Sequence, residues 1–261
     1  MTAAETALTR DAFLDGRLRL WQPRRGYRAA VDPVLLAAFV AARPGQRVLE
    51  LGCGVGVAAL CLAARVPGLE LHGLEFQADY AALAGRNAVE NGTALSVHEG
   101  DLRRPPPALR RLAFDHVLAN PPFHPPATTA AADPGRDRAL READAGLGDW
   151  IDAGLRRLAP GSSLALIHRA ERLGDILGSL KGRAGRVEVL PVVPRAGRPA
   201  TRVLVRACKG SREPLRIWSS LTLHEGSSHL RDGDSYSAEA QQVLRGMAAL
   251  VLDARDGGYS H

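Results

Sequence analysis

Asn120-Pro121-Pro122-Phe123 closes an apolar run, Phe114-Asp115-His116-Val117-Leu118-Ala119, that reads as a buried strand. Neither proline has an N–H to give a ladder, so the chain must leave the sheet directly after Asn120. The residue before a proline is held extended, which fixes how Asn120 presents its amide. An amide oxygen, a main-chain carbonyl in a constrained turn and the flat face of Phe123 suit a planar molecule bearing an NH2 group. Asn-Pro is also an ordinary turn pair, and these four residues alone fit a plain strand-ending turn equally well.

A second segment adds to this. Val48-Leu49-Glu50-Leu51-Gly52-Cys53-Gly54-Val55-Gly56 reads as a strand, a glycine-rich turn and the start of a helix. Glycines there permit positive φ and close approach of backbone to a ligand. Glu75 ends the next apolar stretch. An acid roughly 20 residues beyond such glycines suits a ribose diol, because one carboxylate accepts from both hydroxyls. A third acid, Asp101, ends the stretch that begins at Leu95.

In this order the glycine turn, Glu75, Asp101-Leu102 and Asn120–Phe123 resemble the S-adenosylmethionine-dependent methyltransferases of the Rossmann-like class. More narrowly, the chain resembles bacterial tRNA adenine-N6 methyltransferases that modify the adenosine beside the anticodon of valine tRNA. The segments Gly26–Leu36, Pro194–Leu204 and Ser235–Ala240 also resemble that group, and the likeness spans nearly the whole chain. It implies S-adenosylmethionine as cofactor. Gly52, Gly54 and Gly56 would admit its methionine and ribose portion, and Glu75 would take the ribose hydroxyls. Asp101 would accept from the adenine amine, and Leu102 would flank the ring. Glu50 is either a cofactor residue or a buried carboxylate accepting N–H groups of the glycine turn; Asp101 has a helix cap as its plainer role. The Asn120 side chain and the Pro121 carbonyl would accept the two hydrogens of the target amine, with Phe123 stacked on the base.

Phe123 stands where many relatives carry Tyr. Phe followed by His124 also resembles guanine-N2 methyltransferases of ribosomal RNA. The same turn serves glutamine-N5 methyltransferases of release factors. Both usually carry an added N-terminal domain, for which the short segment ahead of Val48 leaves no room. A noncatalytic RNA-binding module on this scaffold is the alternative from outside enzymology.

The elements that must position these residues alternate along the chain. Strands are expected at 47–51, 69–74, 95–98, 114–119 and 163–168, and helices at 56–65, 77–91, 147–158 and 170–180. That order predicts an α/β fold with a doubly wound, mainly parallel sheet. Residues 187–193 and 201–208 form a C-terminal antiparallel hairpin in this reading, with Arg202 and Arg206 on one face of the second strand. Asp32 is the expected N-cap, with Pro33 in the first turn, of a helix to about Ala42. The 261 residues are read as a single domain. Residues 1–32 form an N-terminal extension, with a short strand at Leu18–Gln22. Residues 124–146 lack periodicity and read as a flexible loop over the substrate.

Cys53, Cys61 and Cys208 have neither metal nor disulfide spacing, so no metal is expected. No stretch approaches a membrane span and Met1–Arg10 lacks a signal core, so a cytoplasmic protein without a membrane partner is expected. The net charge is +6, and Lys181–Arg216 holds ten basic residues against Glu188 and Glu213. Nearly all are arginine, whose planar fork binds phosphate bidentately. Arg195, Arg198 and Arg202 are therefore expected to contact RNA, most naturally tRNA. A smaller group, Arg17, Arg19, Arg24, Arg25 and Arg28, lies near the N-terminus. Nothing in the sequence addresses oligomeric state.

Overall fold

The computed structural model describes residues 7–26, 28–123, 145–226 and 235–252. It opens with a two-stranded antiparallel ribbon, β1 (Leu8–Phe13) and β2 (Leu18–Pro23), in which Arg10 pairs with Trp21. Helix α1 (Val31–Phe39) follows. Next come β3 (Arg47–Leu51), α2 (Val57–Arg65), β4 (Glu70–Glu75), α3 (Ala78–Glu90) and β5 (Leu95–Glu99). A short helix α4 (Pro107–Arg110), β6 (Phe114–Ala119), α5 (Leu147–Arg157), β7 (Leu158–Arg169) and α6 (Leu173–Leu180) continue the chain. β8 (Ala184–Arg195), β9 (Arg202–Lys209), β10 (Arg216–Ile217), β11 (Leu221–His224) and α7 (Ala238–Leu244) complete it.

All strands from β3 onward join one sheet in the order β10-β8-β9-β7-β6-β3-β4-β5, with β11 also on β8. The pairs from β7 through β5 are parallel. β9 enters antiparallel between β7 and β8, which makes the expected hairpin. The apolar strands are inner because helices cover both faces. The pleat sends successive residues to opposite sides. Thus Ala165 and Ile167 of β7 belong to one core, with α1 and α2, while Leu164 and Leu166 belong to the other, with α5 and α6.

Some local expectations are corrected. α1 starts at Val31 with Ala30 as its N-cap and no side-chain cap bond, and it ends at Phe39 rather than Ala42. Asp32 is inside the first turn, its Oδ1 2.7 Å from Arg202 Nε. That contact is Coulombic, since neither atom makes a hydrogen bond. The extension before α1 holds two strands rather than one. The loop expected at 124–146 lies outside the described residues except for Ala145 and Gly146. No helix among the described residues is long and apolar enough to cross a membrane.

Candidate active site at the carboxyl ends of the strands

In an open α/β sheet ligands bind beyond the carboxyl ends of the strands, and four expected residues fall there. Glu50 is the penultimate residue of β3 and Glu75 the last of β4, Asp101 follows β5, and Asn120 follows β6. β3 and β6 are hydrogen-bonded neighbours with Leu51 opposite Ala119. Gly52 and Asn120, the next residue on each strand, therefore leave the sheet side by side, about one strand spacing apart.

The turn after β3 is built from the backbone. Gly52, Gly54 and Gly56 have φ of +58°, +54° and +87°, a region that side chains strongly disfavour. The Cys53 N–H donates to the Leu74 carbonyl (3.0 Å), and the Gly56 N–H to the Cys53 carbonyl (2.7 Å). Sterics add a second demand at Gly52, where a Cβ would lie 2.4 Å from Cη2 of Trp150. Beneath the turn, Cys53 is buried against Gly73, where a Cβ would lie 2.7 Å from its Sγ.

Two buried carboxylates lie behind this turn, one bonded to it and one to the helix that follows. Glu75 Oε2 accepts the Gly54 N–H at 2.7 Å, and Oε1 accepts the Gln77 N–H at 2.9 Å. Glu50 Oε2 accepts the Ala59 N–H at 2.8 Å, in the first turn of α2. Burial pushes Glu50 up to about 8, against the Ala59 hydrogen bond and with help from the nearby Glu75 charge. The same burial, with Glu50 beside it, raises the Cys61 thiol. Asn87, fully buried in α3, donates to the carbonyls of Val55 (3.0 Å) and Trp21 (3.1 Å). It thereby ties the N-terminal ribbon to the glycine turn.

Around the end of β5 a narrow cleft is lined by Gly52, Leu74, Phe76, Asp101, Leu102 and Trp150, among others. Asp101 stands at its rim, its Oδ1 taking the Arg103 N–H at 2.8 Å and its carboxylate facing the Arg103 guanidinium. Burial alone would raise Asp101, but the Arg103 hydrogen bonds outweigh it and hold the group below its ordinary value. Phe76 projects into solvent at 48 % exposure.

The turn after β6 is held from β7. His168 is 1 % exposed. Its Nδ1 accepts the Arg169 N–H at 2.9 Å, so the ring proton sits on Nε2 and the Pro122 carbonyl takes it. The same ring meets Phe123 edge-on at 5.2 Å between centroids. Arg202 lies over the same Phe123 ring, its guanidinium carbon 5.7 Å from the centroid.

Comparison with known proteins gives this geometry its context. The Methyltransferase small domain family matches residues 30–144. A tRNA1(Val) (adenine(37)-N6)-methyltransferase of Dickeya chrysanthemi is 28% identical over 245 residues, 92% of this chain and 94% of that protein. The protein of the same description from Aeromonas hydrophila is 30% identical over 191 residues, 72% of this chain and 79% of that one. The chain belongs to the family of these tRNA1(Val) (adenine(37)-N6)-methyltransferases. A solved structure from Agrobacterium tumefaciens, described as a predicted O-methyltransferase, is 29% identical with a TM-score of 0.67, covering 84% of this chain and 97% of that one. The protein is thus an S-adenosylmethionine-dependent N-methyltransferase acting on an exocyclic amine, on a Rossmann-like fold.

The residues of this methyltransferase fit that cofactor. Gly54 faces open space, where a Cβ would meet no other side chain or backbone within 4 Å, and the cleft beside the turn offers a carboxylate at Asp101 near an exposed aromatic ring. Glu50 is tied to α2 rather than to the glycine turn, which Glu75 holds instead. Phe76, Asn87 and His168 were not singled out by the sequence. Phe76 had a local signal, its place directly after Glu75; Asn87 and His168 had none.

The arginine expectations divide. Arg206 pairs with Glu188 at 2.6 Å and lies over Phe39, and Arg202 meets Asp32. Both are on the α1 side of β9, as their parity requires. Arg195 donates to the carbonyls of Glu225 and Gly226. Arg198 is exposed on the β8–β9 turn and has no side-chain partner among the described residues.

Proposed function

We propose that this protein methylates the N6 amine of an adenine in tRNA. One observation carries the reading: the β3–β6 register sets the Asn120-Pro121-Pro122-Phe123 turn next to the glycine turn, so an amine held by one faces a donor held by the other. The relatives' activity on tRNA adenine supports the choice of substrate.

S-adenosylmethionine supplies an electrophilic methyl group on its sulfonium. Gly52, Gly54 and Gly56 let the backbone approach its methionine and ribose portion. Glu75, already aligned by two N–H groups, takes the ribose hydroxyls with its remaining lone pairs. Glu50 fixes α2 behind the turn. Asp101 accepts from the adenine amine, while Leu102 and Phe76 flank that ring.

The chemistry assigned to the chain is positioning. The lone pair of an adenine N6 is delocalised into its ring and attacks poorly. The Asn120 amide oxygen and the Pro121 carbonyl accept its two hydrogens, which favours a pyramidal nitrogen with the lone pair aimed at the methyl carbon. Both acceptors also stabilise positive charge developing on nitrogen. Orientation accounts for much of the remaining barrier. The alkylated amine is acidic enough to lose its proton to solvent afterwards. Phe123 stacks on the target base, a contact worth roughly 1–3 kcal/mol. Arg198 is the exposed phosphate contact of the β8–β9 turn, with Arg195 and Arg202 shaping the surface beside it.

Two measurements test this. Mass spectrometry of nucleosides from cells with and without the gene should show N6-methyladenosine lost from tRNA. Loss of N2-methylguanosine from ribosomal RNA would move the target to guanine. In single-turnover assays, Asn120→Ala should slow methyl transfer at least about a hundredfold, the scale for one transition-state hydrogen bond, with cofactor affinity retained. A near-wild-type rate would remove this strand end from the chemistry.

A further inference from the structure

The stretch Lys181–Arg216 is basic in sequence, but part of its charge is paired within the fold. Arg183 pairs with Asp152, Arg186 with Glu213, Arg206 with Glu188, and Lys209 with the Leu158 carbonyl. A denser group of positive charge lies elsewhere. Between the loop after β5 and helix α5 lies a cavity of about 740 Å³, and Arg103, Arg104, Arg110, Arg156 and Arg157 all line it.

Its acids do not balance these five. Asp149 caps the Gly146 N–H, and Asp152 is shared between Arg156 and Arg183. Arg103 is matched by Asp101. Arg104 and Arg110 make no side-chain hydrogen bond or ion pair among the described residues. Arg157 donates only to the Arg110 carbonyl, and burial with the like charges of Arg110 and Arg156 lowers its pKa. Crowded guanidinium groups around open space are a cost that an anion relieves. The wall is rigid, because Pro105, Pro106 and Pro107 fix the backbone between Arg104 and Arg110, so little ordering is needed on binding.

We infer that this groove binds the phosphodiester backbone of the RNA substrate, as a second contact area apart from the β8–β9 turn. The inference rests on the RNA reading above. Its placement favours RNA over an unrelated anion. The groove shares Leu74, Leu102 and Arg103 with the cofactor cleft, so a strand lying in it starts beside that cleft and leads toward the amino ends of β6 and β7, where Arg110 and Arg157 stand.

The test is RNA binding by fluorescence anisotropy over a salt series, with wild type and the double variant Arg104→Ala/Arg110→Ala. Cofactor affinity and thermal midpoint serve as folding controls. Each phosphate contact contributes roughly 0.7–0.9 to the slope of log K against log salt, so the variant's slope should be shallower by roughly 1.5. Cofactor affinity should not change. An unchanged slope and affinity would overturn the groove while leaving the RNA reading intact. If wild type neither binds nor methylates RNA, both fall. Stabilisation of wild type, but not the variant, by tripolyphosphate without any effect on RNA affinity would assign the groove to a small polyphosphate and overturn the inference. A single Arg104→Lys variant keeps the charge and should retain the wild-type slope; loss of slope there would point to packing instead.

Discussion

His168 connects two parts of the site that the sequence keeps 45 residues apart. Its ring works only when neutral, because Nδ1 accepts an N–H and Nε2 donates to Pro122. Burial, with Arg172 and then Arg169 nearby, holds its pKa below the ordinary histidine value, against the Pro122 hydrogen bond. The ring therefore stays neutral to lower pH than an ordinary histidine and charges only on acidification. The methyl-transfer rate of wild type should fall there as Nδ1 takes a proton. His168→Phe keeps an aromatic edge on Phe123 but frees the Pro122 carbonyl. It should lower kcat roughly tenfold, the worth of one buried hydrogen bond, spare cofactor affinity and flatten the acid limb of the pH–rate profile. An unaltered limb would assign that limb to another group. At this scale the placement of the glycines, Glu75, Asp101 and Asn120 at strand ends was legible, because each closes an apolar run in the sequence. His168 and Asn87 were not, because their partners come from other elements.

Among elements, α5 makes the least obvious demand. It presses Trp150 onto the glycine turn of β3, so Gly52 answers to both φ and space. Gly52→Ala should cost roughly 1–2 kcal/mol for the left-handed backbone and a further roughly 1–3 kcal/mol for overpacking. Trp150→Phe removes the ring atoms that a Cβ would strike. Added to Gly52→Ala, it should recover much of the packing cost and none of the backbone cost, read from denaturant midpoints after correction for Trp150→Phe alone. Equal losses with and without Trp150 would show that the clash relaxes by another route. The inner strands were legible as continuous apolar runs. β1, β10 and β11 were not. β1 and β10 are ribbon or edge strands with no fully buried residue, and β10 has only two residues; β11 alternates buried Leu221 and Leu223 with Thr222 and His224, but over four residues that is too short to read. Asp32 was misread as a cap because Asp-Pro fits an N-terminus equally well two residues later in the helix; its actual neighbour, Arg202, is far along the chain.

For the whole molecule, two buried groups set opposite limits on stability. His116 is held down to about 4, by burial first, with Nδ1 2.8 Å from Ser163 Oγ and Nε2 3.0 Å from Gln46 Oε1. A depressed pKa gives stability that is present above the unfolded value and is lost as pH falls through about 4. Glu50, raised to about 8, acts in the reverse sense: its contribution is complete below the unfolded value and is lost as pH rises through about 8. Between roughly pH 4.5 and 6.5, the two unfolded values, their slopes oppose. Above that range only Glu50 acts, so the thermal midpoint should decline toward pH 8. Glu50→Gln, which keeps an acceptor for the Ala59 N–H, should flatten that decline and leave the acid side to His116. A decline of the same steepness in Glu50→Gln would exclude Glu50 as its source. The charge distribution is also a property of this scale. A hairpin sends alternate side chains to opposite faces, so the basic run at Lys181–Arg216 disperses against acids of other elements. The five arginines of the groove come from two separate segments and formed no run to read.

The three buried cysteines turn the fold into its own set of clocks. Cys53 is sealed under the glycine turn and Cys61 in the helix behind it, while Cys208 lies on β9 across the sheet. A buried thiol reacts with an alkylating reagent only when its surroundings open, so each labelling rate reports the opening of one region. Cofactor should slow alkylation at Cys53 and Cys61 far more than at Cys208. Peptide mass spectrometry of a timed alkylation would separate the three without any engineered probe.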